Sequence, residues 1–159
     1  MCNIKSRLSY IETMKISTIL VLVLLISTGN SCMKNSNDKR QFNIPKEYKY
    51  LLKKVENLRI SMINYMEDAN PDYTEKDVNK CVEILYKYIQ DLAKTNSKSN
   101  GMEIVKSTIL DLNQLNENCN GQLIETSERE QIAEIMILAG NEKGYNSKEE
   151  DITEEWREW

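Results

Sequence analysis

Residues 74–92 read TEKDVNKCVEILYKYIQDL, and the placement of their apolar side chains decides the fold. Val78, Cys81, Val82, Leu85, Tyr86, Ile89 and Leu92 recur at intervals of three and four, which puts them along one face of a helix. Thr74 followed by Asp77 approximates a capping box at its start. A single amphipathic helix gains most of its stability by packing that face against another element. What lies on either side of this stretch therefore sets the architecture.

The flanks carry the same period. Upstream, Asn43 caps a helix with Pro45 in its first turn, where the missing N–H costs nothing. Tyr48, Leu51, Leu52, Val55, Leu58, Met62, Ile63 and Met66 form its stripe, which runs to about Glu67 before the breaker Asn70-Pro71-Asp72. Downstream, residues 94–101 (KTNSKSNG) read as a loop short enough to make the next helix an antiparallel neighbour. Met102, Val105, Ile109, Leu112 and Leu115 form a third stripe, ended by NENCNG at 116–121 with Asn120-Gly121 as the turn. Ser127 and Glu130 set a capping box for a fourth helix carrying Ile132, Ile135, Met136 and Ala139, with Gly140 placed to terminate it. Ser147 and Glu150 repeat that signature before a last segment with Ile152, Trp156 and Trp159. Strand alternation, glycine-rich motifs and internal repeats are missing from the sequence. The expectation is an all-α domain over residues 44–159: an up-and-down four-helix bundle with a short fifth C-terminal helix.

The sequence before residue 44 has a different character. Lys15 precedes the apolar run ISTILVLVLLI at 16–26, followed by Ser27-Thr-Gly-Asn-Ser31-Cys32. A basic start, a short apolar stretch and small residues have the form of a secretory signal peptide over residues 1–31, with Met14 as an alternative start. The run is shorter than the ~20 apolar residues a spanning helix needs, which favours cleavage over a retained anchor. Residues 32–43 are polar apart from Met33 and Phe42 and read as a flexible tether.

Composition excludes several chemistries. The chain contains no histidine, which removes imidazole as a base, as a nucleophile's partner and as a metal ligand. No pair of carboxylates stands out from solvated helix faces, so catalysis and cofactors are not expected. Asn116, Asn118, Asn120 and Gly121 match the first, third, fifth and sixth positions of a calcium loop, but Ser127 stands where the bidentate Glu belongs and Asp is absent. A plain asparagine-rich turn explains them, and no metal is expected. Cys81 and Cys119 fall at helix ends that adjoin in an antiparallel pair, so they form either a disulfide or two separate thiols, one on an apolar face.

Charge is uneven. Cys32 to Lys106 holds 14 Lys/Arg against 11 Asp/Glu, whereas Ser107 to Trp159 holds 4 against 13. An acidic balance disfavours nucleic acid as a partner. Ile152, Trp156 and Trp159 lie at i, i+4 and i+7, surrounded by acids that include Glu155. Either this stripe docks on the bundle, or it protrudes and captures a basic protein partner.

Two resemblances add to this reading. Ser31-Cys32 after the Leu/Ile/Val run resembles the lipobox of bacterial lipoproteins, in a relaxed form with Gly29 and Asn30 where the strict motif has Leu and a small residue. The resemblance implies acylation of Cys32 and anchoring of a cell-envelope protein to a membrane through its lipid. The segment TSEREQI at 126–132, leading into an apolar helix and an acidic Trp-containing end, resembles the helical bacterial family known as domain of unknown function 4844. That family implies a helical fold and assigns no activity. Together these features predict a non-catalytic envelope lipoprotein that binds a protein partner, possessing immunity-type character toward a basic one. The alternative is a structural or assembly lipoprotein of an envelope complex.

Overall fold

A computed structural model describes residues 42–159; the expected signal peptide at 1–31, Cys32 and all but the last two residues of the expected tether at 32–43 lie outside the described residues. Four helices follow a single 3₁₀ turn at Lys46–Tyr48: α1 (Lys49–Ala69), α2 (Glu75–Lys94), α3 (Lys98–Asn118) and α4 (Thr126–Glu142). The described residues contain no strand. The chain is a helical bundle, and none of these helices is long and apolar enough to cross a membrane.

Hydrogen bonds between loops show how the helices alternate. At one pole the α1–α2 loop meets the α3–α4 loop, where the Asp72 backbone N–H donates to Gln122 Oε1 at 2.9 Å and Asn120 Nδ2 donates to Asp72 Oδ2 at 3.1 Å. At the other pole the start of α1 meets the end of α4, where the Tyr50 hydroxyl donates to Glu142 Oε1 at 3.0 Å. The loop between α2 and α3 joins that pole through Thr95 and Tyr145, whose hydroxyls lie 3.0 Å apart.

Helix α2 occupies the centre, packing against α1, α3 and α4, while α1 also packs against α4. The stripes anticipated from the sequence form the core: Leu51, Val55, Leu58 and Met62 of α1 meet Val78, Leu85, Ile89 and Leu92 of α2, with Val105, Ile109 and Leu112 of α3 and Ile132, Ile135 and Met136 of α4. Each such side chain contributes about 1.5–3 kcal/mol by leaving water. Tyr88 is fully buried with its hydroxyl donating to the Met136 carbonyl at 2.9 Å, so its polar end is satisfied inside the core.

Several helix ends differ from the sequence reading. Asn43 does not cap α1; its backbone N–H donates to Gln90 Oε1 at 2.7 Å, and Phe42 packs on the Tyr86 ring, so this segment lies across α2. Helix α3 begins earlier than expected because Ser97 caps it, accepting from the Asn100 N–H at 3.2 Å, and Gly101 becomes a buried interior residue. Ser127 and Glu130 do not form a capping box: Glu125 holds the N-cap position and the Ser127 hydroxyl turns to Glu128. Gly140 does not end α4. The helix passes through it to Glu142, and Gly144 makes the stop with φ +69° while the Tyr145 N–H returns to the Gly140 carbonyl at 3.0 Å. The expected fifth helix is not formed: residues 152–156 are turns.

Candidate interaction site

The residues after α4 form a strap, and its first anchor is Asn146. This side chain is 7% exposed and donates to the carbonyls of Ile137 at 3.0 Å and Ser147 at 2.7 Å. Its Oδ1 is buried without a hydrogen-bond partner and is packed on Gly140, where a Cβ would collide with it. Glycine is thus required inside α4 by what lies on it, and its flexibility is incidental. Ile152 lies against the same glycine and is buried.

Within the strap, the Asp151 carboxylate braces the turn internally. One oxygen accepts from the Thr153 N–H at 2.9 Å and from the Thr153 hydroxyl at 2.6 Å, and the other meets Arg157 at 3.0 Å. Burial pushes the Asp151 carboxyl up, but the bonds from Thr153 and the nearby Arg157 charge outweigh it and hold the group below its ordinary value. The second anchor is on α3, where Asn113 Nδ2 donates to the Trp156 carbonyl at 2.8 Å and Asn113 Oδ1 accepts from the Glu158 N–H at 3.3 Å. The strap thereby bridges α3 and α4.

This arrangement places each of the four residues singled out for a partner. Ile152 is buried, Trp156 and Trp159 are half-buried against the core, and Glu155 is exposed. They do not share a helical face, because the backbone between 152 and 156 turns. The Arg157 guanidinium lies 5.5 Å from the centre of the Trp159 ring, and the Trp159 Nε1 is buried without a partner. Among the described residues, the carboxylates of Glu149, Glu154, Glu155 and Glu158 make no ion pair, whereas Glu150 meets Lys98 at 3.8 Å. The strap thus exposes four carboxylates that make no ion pair among the described residues, in the same segment as two half-buried indoles.

Comparison with family models, with curated proteins and with solved structures finds no match to the chain.

The remaining candidates are structural. Cys81 and Cys119 are both buried, free thiols in one core cluster. Burial pushes the Cys81 thiol up to about 12, with smaller contributions from Cys119 and Glu128. In the asparagine-rich turn, Asn116 Oδ1 accepts from the Ile124 N–H at 2.8 Å and Asn120 is engaged with Asp72. Asn116 thus fastens its own loop and Asn120 joins that loop to the one between α1 and α2, and no cluster of three or more Cys, Asp or Glu side chains suited to a metal occurs among the described residues. Sequence reasoning missed Asn113, Asn146 and Arg157. Asn113 and Asn146 are isolated asparagines with no periodic signal. Arg157 carried a hint, being the lone cation among the acids after residue 148.

Proposed function

We propose that this chain is a non-catalytic cell-envelope lipoprotein that captures a basic protein through the acidic face of its strap, in the manner of an immunity protein. One observation carries the reading: Glu149, Glu154, Glu155 and Glu158 are exposed and unpaired among the described residues, in the same strap as the half-buried Trp156 and Trp159. Unpaired carboxylates speed encounter with a basic surface, and indoles supply the contact area on which binding energy concentrates. The up-and-down bundle serves as the rigid support, with acylated Cys32 and its tether fixing it to a membrane. The apolar run at 16–26 and the small residues before Cys32 support that address.

The test is a pull-down from envelope extracts with native protein and with a Glu154→Lys, Glu155→Lys, Glu158→Lys variant. The native protein is expected to retain a basic protein that the variant loses, with retention falling as salt rises. Retention of the same proteins by both would overturn the reading. Peptide mass mapping tests the address separately, with an acylated peptide beginning at Cys32 as the expected result.

A second reading, a structural or assembly lipoprotein, is favoured by Ile60 on α1 and Leu110 on α3, which are 45% and 48% exposed. Cross-linking in cells separates the two, since a scaffold remains in one constant complex.

A further inference from the structure

The half of the chain from Ser107 onward has only four cationic side chains, Arg129, Lys143, Lys148 and Arg157. Lys143 is committed elsewhere, donating to the carbonyls of Ala93 at 3.2 Å and Thr95 at 2.6 Å. The other three all line one cleft of about 500 Å³ between α4 and the strap. Ala133, Ile137 and Leu138 of α4 supply the apolar part of its wall.

Three carboxylates share the rim, and their pairing decides the sign of the site. Glu134 is matched by Lys54 of α1 at 2.8 Å, and Asp151 by Arg157 at 3.0 Å. Glu130 alone is left to oppose Arg129 and Lys148, whose side chains make no hydrogen bond or ion pair among the described residues. With those two pairs set aside, the cleft keeps two free cations against one free carboxylate, on the most acidic part of the molecule. Its volume falls within the ~300–1,000 Å³ of small-molecule sites.

We propose that this cleft binds a single-chain anionic amphiphile, a carboxylate with an unbranched apolar tail. The carboxylate lies between Arg129 and Lys148, and the tail covers Ala133, Ile137 and Leu138. Two free cations beside an apolar wall complement that ligand at both ends, whereas a cationic or neutral amphiphile meets only the wall. This site is independent of the basic partner proposed above, which is read from the strap's carboxylates.

The experiment uses the full chain in nanodiscs of zwitterionic phospholipid, with dodecanoate bearing a terminal diazirine as photolabel. Label is expected on peptides containing Ile137 and Leu138 or residues 148–157, displaced by plain dodecanoate and not by dodecyltrimethylammonium. The pair Arg129→Gln, Lys148→Gln should cut labelling about tenfold, the charge-conserving pair Arg129→Lys, Lys148→Arg should restore it, and Lys106→Gln on α3 should change nothing. Among the described residues neither the Arg129 nor the Lys148 side chain makes a bond, so an unchanged far-UV spectrum is expected for each pair. Equal labelling in the glutamine pair, equal displacement by the cationic amphiphile, or label confined to residues 16–26 would each overturn the proposal. Suppression of label in phosphatidylglycerol nanodiscs would overturn it too, in favour of a lipid headgroup as the occupant.

Discussion

Gly140 shows how far a single residue's role depends on its neighbours. A glycine inside a helix ordinarily costs about 1 kcal/mol relative to alanine. Here an added methyl would strike the Asn146 side chain and press on Ile152 at 3.1 Å. Gly140→Ala is therefore expected to destabilise by about 1–3 kcal/mol despite the better helix former, because overpacking outweighs propensity. A lowered thermal midpoint checks this, and a raised one would show that the strap yields easily. Cys81 presents the complementary case of a reactive group made inert. Its thiol is fully buried and titrates near 12, so iodoacetamide at about pH 8 should leave it unmodified in the native protein and alkylate it in guanidinium. Rapid native modification, read by mass spectrometry, would mean that the core around it opens.

At the level of elements, helix ends are stabilised by groups far away in sequence. The C-terminal carbonyls of α2 are covered by Lys143, which also lies 5.8 Å from the centre of the Tyr145 ring. Lys143→Met should cost about 1–2 kcal/mol, since it removes a cation from a helix C-terminus together with two hydrogen bonds. Chemical denaturation would measure it. The strap has its own signature in pH. The Asp151 carboxyl sits below its ordinary value of 3.8 in the folded protein, so its contribution is complete above that value and is lost as pH falls through the lower folded one. Tryptophan fluorescence of Trp156 and Trp159 should therefore report strap release only below about pH 3.8, and Asp151→Asn should abolish that acid step. The helices themselves were legible in the sequence because a buried face imposes a period of three and four. Their ends were less so. Gly101 and Gly140 look like punctuation, yet both lie inside helices because Tyr145 and Asn146 pack on the space a side chain would fill. A local signal cannot show a contact made by residues that return from elsewhere.

For the whole molecule, the same limit applies to the candidate site. The acidic, tryptophan-bearing end was readable as composition, but its conformation was not: the Ser147/Glu150 signature suggested a helix, whereas Asn113, Asp151 and Asn146 hold a turning strap. The four helices are joined so that α2 touches all the others, while the strap is attached through two polar anchors, the buried Ile152 and the half-buried Trp156 and Trp159. Amide hydrogen exchange should divide accordingly. The amides of α2 should exchange only with global unfolding, and those of residues 147–159 by a separate opening of much lower free energy. Uniform protection across both would contradict the division. Such a molecule has a detachable outer layer: whatever engages the strap can peel it from α3 and α4 at a fraction of the global stability, uncovering Gly140 and the helix surfaces beneath the strap while the central helix remains clamped.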